Sequence, residues 1–148
     1  MKNKNLIEKL SNLAVDYNVF LIKVLNFHWN IKGRHFFALH EKLEDYYEAS
    51  LEELDEIAER IFMIGGEFSV NLTYCLAEST IKETEDYSDE ENAVEELVKD
   101  YANLKGQMEA TAKIADEQSD RGTAALMDEL IASIEKRIWM LQSFDDED

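Results

Sequence analysis

Apolar side chains return every three or four residues along four stretches of this chain, and each series marks one face of an amphipathic helix. The first is Leu6, Leu10, Leu13, Tyr17, Phe20, Val24 and Ile31; the segment NIKGRH breaks it, with Gly33 where glycine is favoured just past a helix C-terminus. The second runs Leu39, Leu43, Tyr46, Leu51, Leu54, Ala58 and Ile61 and stops at Gly65-Gly66. The third is Val94, Leu97, Tyr101, Leu104, Met108 and Ala112, opened by Ser88 and Glu91 at capping-box spacing. The fourth is Met127, Leu130, Ile134, Ile138 and Leu141. It follows the turn SDRGT, where Asp120 or Thr123 supplies the N-cap, and ends in the solvated run DDED. Residues 67–87 are weakly periodic and rich in Ser, Thr and Glu, a long connection with room for a short helix. Short turns within each helix pair and one long crossover between pairs predict an all-α four-helix bundle, with residues 1–148 as a single domain.

Composition supports long helices: the 148 residues contain no proline and five glycines. Charge narrows the partners. With 33 acidic residues against 15 basic ones, the net charge of -18 repels nucleic acid and anionic membrane and favours collecting cations, although charge alone is better explained by an acidic surface kept for solubility. The N-terminal MKNKN has only two lysines, a poor DNA-binding arm. Cys75 is the single cysteine, which excludes an intrachain disulfide and a CxxC motif and fits a reducing cytosol. Glu8, Lys9, Asn12 and Asp16 interrupt the first helix, so it reads as neither a signal peptide nor a membrane span. A soluble, cytoplasmic protein is expected.

All three histidines fall in the segment from Asn26 to Ile61, which also carries Asp55 and Glu59 one helical turn apart. Those two carboxylates share a helical face within reach of a single ion, but in a stretch this acidic a solvated face accounts for either one alone. His28 continues the first apolar stripe; a core histidine bonded to a carbonyl is the competing account. His40 stands near the start of the second helix, and His35 reads as an exposed turn residue without a role. His40 and Asp55 are fifteen residues apart on one helix, about 22 Å along its axis, so no ion bridges them within a subunit. Two such helices antiparallel about a twofold axis near Tyr47 and Glu48 would bring position 40 of one chain level with position 55 of the other. Each site would then take His28 and His40 from one chain and Asp55 and Glu59 from its partner. HEKLE at 40–44 lacks the second histidine of a zincin motif, and no glutamate stands three residues before a histidine, as an intrasubunit di-iron bundle would require.

The segment FHWNIKGRHFFALHEKLEDYYEASLEELDEIAERIFMIGG resembles the signature of the Dps family, the miniferritins within the ferritin-like superfamily, and the later IEKRIWML resembles the family's last helix. The resemblance implies a ferritin-like bundle assembled as a dodecameric hollow shell, with ferroxidase sites at twofold interfaces. There iron(II), a pair of ions per site at most, is oxidised with hydrogen peroxide as the usual acceptor, and ferric mineral collects inside. It maps the family's ligand histidines onto His28 and His40 and its partner-chain acids onto Asp55 and Glu59. Glu44 stands where members often carry an aspartate, which keeps a carboxylate on a longer arm. Trp29 matches a family tryptophan that absorbs stray oxidising equivalents, though a packed aromatic is an equal reading. Acids near the start of the last helix line the family's entry pores, with Asp116, Asp120 and Asp128 as candidates beside the intruding Arg121. DNA-binding members use basic tails, which this chain lacks, so direct DNA binding is not expected. The alternatives are a shell or DNA-compacting scaffold in which metal is incidental, and specialisation for another divalent metal.

Overall fold

The computed structural model describes residues 3–144; the acidic run at 145–148 and the first two residues of MKNKN lie outside that range. Four long helices and one short one follow in order: α1 (Lys4–Asn30), α2 (Phe36–Met63), α3 (Leu72–Glu78), α4 (Glu90–Glu117) and α5 (Arg121–Gln142). α1 packs along α2 and α4 along α5; α1 also meets α4, and α3 lies against α1. This is the ferritin-like bundle with one long crossover, and α3 is the short helix for which that connection left room. The described residues form no strand, only an isolated bridge between Lys32 and Asp89.

The apolar stripe of α1 is buried as expected, from Leu6 through Phe20 to Ile31. α2 departs from its expected stripe. The face that enters the core is Leu39, Leu43, Tyr46, Ser50, Glu53, Ile57 and Ile61, while Leu51 is 57 % exposed. The step from Tyr46 to Leu51 is five residues, which swings the side chain about 140° off the core face at 100° per residue. True helical spacing passes instead through two polar residues that the fold satisfies. The Ser50 hydroxyl donates to the Tyr46 carbonyl at 2.7 Å, and Arg137 and Tyr17 both donate to the Glu53 carboxylate.

The helix ends correct one expectation and settle another. α4 is capped by Asp89, whose side chain accepts from the Asn92 N–H at 2.8 Å, not by Ser88, whose hydroxyl donates to Asp86. α5 is capped by Asp120, which accepts from the Thr123 N–H at 3.0 Å. The crossover is anchored on buried Asp16. Its carboxylate accepts from the Ser79 hydroxyl, the Thr80 N–H and hydroxyl, and Gln107, at 2.6–2.8 Å. Four donors on one carboxylate offset the cost of burying it. Cys75, on α3, is buried, as its residue type suggested.

Candidate metal centre

The turn joining α1 and α2 sets His28, on the last full turn of one helix, beside His40, on the second turn of the next. Each ring is bonded to the backbone under the other. His28 Nδ1 lies 2.8 Å from the His40 carbonyl oxygen, and His40 Nδ1 lies 2.8 Å from the His28 carbonyl oxygen. A carbonyl oxygen only accepts, so each Nδ1 carries the hydrogen, and in the neutral imidazole each Nε2 is left as the ligating atom. The rings stack with centroids 3.9 Å apart and planes 14° from parallel. Phe36 stacks on His40 at 4.9 Å, and Tyr47 meets His28 edge-on at 5.2 Å. The carbonyl bond that competed with a ligand role is thus the contact that fixes tautomer and aim, as outer partners of ligating histidines do.

One turn after His40, Glu44 is exposed and accepts a long 3.5 Å bond from the Tyr47 hydroxyl. Partial desolvation, the charges of Glu44 and Glu48 and that bond hold the Tyr47 phenol above its ordinary value. Asp55 and Glu59 are exposed toward the far end of the same unbroken helix. Desolvation and the charges of Glu129, Glu53, Glu52 and Asp55 raise the neighbouring Glu56 carboxyl, a sign of how much negative charge gathers there. Among the described residues, no three His, Cys, Asp or Glu side chains converge on a point that would hold a metal within one subunit. The fold brings His28, His40 and Glu44 to one end of α2 and leaves Asp55 and Glu59 at the other.

The outward face of α2 reads Phe37, His40, Glu44, Leu51, Asp55 and Phe62, all within about 60° of one direction at 100° per residue. Phe37 is 86 %, Leu51 57 % and Phe62 55 % exposed, three large apolar side chains spaced along this face. Trp29 is also exposed, at 65 %, so within one subunit it is not a packed aromatic. His35 does more than its reading as a bare turn residue allowed, because its N–H and ring meet Glu90 and its ring lies edge-on to Phe144. Asp116 and Asp128 are exposed, whereas Asp120 is committed: besides capping α5, it pairs with Arg60 at 2.8 Å and accepts from the Thr123 hydroxyl at 2.7 Å. Sequence reasoning missed Glu53 with Arg137, and Glu90. All three lie among ordinary surface-type charges, and their partners are distant in the chain.

The ferritin-like domain family matches residues 7–147. A DNA protection during starvation protein of Brevibacillus brevis is 36 % identical over 135 residues, covering 91 % of each chain. A second such protein, from Bacillus anthracis, is 38 % identical over 142 residues, covering 96 % of this chain and 97 % of its own. The crystal structure of a Dps protein from Vibrio cholerae O1, described as a member of a broad superfamily of ferritin-like diiron-carboxylate proteins, superposes with a TM-score of 0.93 at 34 % identity. That match covers 96 % of this chain and 89 % of the other.

Proposed function

The chain belongs to the Dps family of ferritin-like proteins, and from that premise we propose that it is a ferroxidase that oxidises iron(II), preferentially with hydrogen peroxide, and stores the ferric product inside a dodecameric shell. One observation carries the reading: His28 of α1 and His40 of α2 hold each other's Nδ1 so that both Nε2 atoms remain available, at the start of a helix whose outward face also exposes carboxylates they cannot reach. Two copies of α2, antiparallel about an axis near Tyr47 and Glu48, resolve the separation. Each site then consists of His28, His40 and Glu44, with Asp55 and Glu59 of the partner subunit.

Iron is the substrate. Carboxylate oxygens are hard donors that favour the ferric product, and the imidazoles complete the set. A pair of iron(II) ions at most occupies each site. Each gives up one electron, the O–O bond of peroxide breaks, and uptake of two protons releases two waters. Pairing the electrons leaves no hydroxyl radical behind, which is the protective part of the function. Trp29, beside His28, is our candidate for absorbing an unpaired oxidising equivalent. Asp116 and Asp128 are the better candidates for guiding iron inward, since Asp120 is held by Arg60 and Thr123. No helix among the described residues is long and apolar enough to cross a membrane. We assign the protein to the cytoplasm, the compartment that a single unpaired cysteine fits.

Complementation tests the shared site. A His28→Ala/His40→Ala chain and an Asp55→Ala/Glu59→Ala chain should each assemble and each lose rapid iron(II) oxidation. Co-expressed in equal amounts, about half of the twofold pairs are mixed and each mixed pair has one intact site of two, so about a quarter of the wild-type rate returns. Intact mixed particles without recovery would sink the shared site. Parents that oxidise iron normally would show that these four side chains are not the oxidation site.

A further inference from the structure

Glu90 is a carboxylate with 4 % exposure at the start of α4, with no part in the chemistry proposed above. Its Oε2 accepts from the His35 N–H at 2.9 Å, and its Oε1 lies 3.4 Å from the His35 ring. His35 is the N-cap residue of α2, yet its own side chain makes no capping bond, and the first turn of α2 contains no acid. A helix start leaves several N–H groups unsatisfied and favours negative charge, so α2 takes from another helix what its own sequence lacks. The same segment grips the turn a second time, because the Lys32 N–H donates to the Ser88 carbonyl at 2.8 Å. Gly33 makes the approach possible. Its φ of +143° suits glycine, and a Cβ there would collide with the Glu90 carboxylate.

The turn held in this way, residues 31–35, is the hinge of the His28–His40 pair. Reciprocal bonds between two rings and two carbonyls need the last turn of α1 and the first turns of α2 at one separation. An uncapped α2 would fray toward His40. We infer that Glu90 is a positioning residue for the metal centre: it caps α2 from α4 and so holds the two histidines in register. The inference rests on the reading of that pair as iron ligands.

Cobalt(II) titrated anaerobically and followed by its visible spectrum reads the site without turnover, and peroxide-driven iron(II) oxidation gives KM and kcat. Glu90→Ala should assemble normally, bind cobalt about tenfold more weakly and raise KM for iron by a similar factor, with kcat within about twofold of wild type, the pattern of lost pre-organisation. Glu90→Gln, whose amide oxygen still accepts from His35 N–H but without the charge, should fall between the alanine variant and wild type. If the alanine variant does not assemble, Glu90→Asp takes its place: the charge stays but the arm is one methylene short, and cobalt binding should weaken. Unchanged cobalt affinity and KM in the assembled alanine or aspartate variant would overturn the inference, whatever the loss of thermal stability. So would an equal loss in Glu90→Gln. His40→Ala separates the two levels. Loss of cobalt binding there with a silent Glu90→Ala overturns the positioning role alone, whereas normal binding in His40→Ala overturns the metal centre and the positioning role with it.

Discussion

Arg137 meets Glu53 with both terminal nitrogens, at 3.0 and 2.7 Å, and the Tyr17 hydroxyl donates to the same carboxylate at 3.0 Å. The guanidinium also lies 5.6 Å from the centroid of the Tyr101 ring. Burial, then the charge and hydrogen bond of Glu53, hold the Tyr17 phenol well above its ordinary value, and burial pushes Tyr101 up as well. Desolvation works against the Arg137 charge, but its bonds to the Glu53 carboxylate more than offset it, so its value is raised. Such a pair adds little over apolar residues of the same shape, yet breaking it strands a buried charge. We therefore expect Arg137→Met to cost about 3–5 kcal/mol and Glu53→Met/Arg137→Met to recover most of that loss, read from guanidinium unfolding midpoints. A single variant as stable as the double would contradict the account. Nothing local marks this pair. Glu53 sits in LEELDEIAERI among acids that stay in water, and the arginine that decides its fate is 84 residues away. His28 and His40 were legible because histidine is scarce here and His28 continues an apolar stripe. Their reciprocal carbonyl bonds depend on how two helices meet, and side-chain type does not encode that.

The buried face followed from the apolar stripe in α1, α4 and α5, although α1 also buries Asp16, Lys23 and His28 and α4 buries Glu90 and Asp100. It slipped in α2, where Ser50 and Glu53 occupy core positions and Leu51 faces outward. The α4 cap moved by one residue, because Ser88 and Asp89 are both good caps and Asp86 takes the Ser88 hydroxyl. The α5 cap carries a consequence in pH. Desolvation raises the Asp120 carboxyl, but the bonds from the Thr123 N–H and hydroxyl and the Arg60 guanidinium outweigh it, so the folded value is lowered. A lowered acid stabilises the fold above its unfolded value, about 3.9, and that stability is lost as pH falls through the folded value. Asp120→Ala should cost about 1–2 kcal/mol near neutrality, a cap together with a partly buried pair. The difference in Tm from wild type should shrink toward zero as pH is lowered below about 4. A difference that persisted in acid would mean that packing around Thr123 and Gly122, not charge, sets the effect.

At the scale of the whole molecule, charge and the outward face of α2 point to different partners. A net charge of -18 per chain would turn the proposed shell away from DNA and toward cations. No electrophoretic shift of duplex DNA is therefore expected at ordinary salt, and a shift that survives it would reverse the conclusion. The apolar residues on α2 call instead for a second copy, and the twofold arrangement is specific enough to be tested by charge. The proposed axis near Tyr47 and Glu48 would set position 51 of one chain level with position 44 of the other, so Leu51 would lie against Glu44 of the partner subunit. Leu51→Glu would set two carboxylates together at both ends of the interface, a repulsion that costs binding when the groups are desolvated. Leu51→Lys would set an ammonium against the same carboxylate and lose only apolar contact. The glutamate variant should therefore elute as a smaller species and lose rapid iron(II) oxidation, because Asp55 and Glu59 of the partner subunit are no longer delivered. The lysine variant should stay assembled, with slower iron(II) oxidation because its ammonium competes with iron for Glu44. If the two variants behave alike, the register is wrong. If the glutamate variant falls to a monomer that still oxidises iron rapidly, the site does not need two chains.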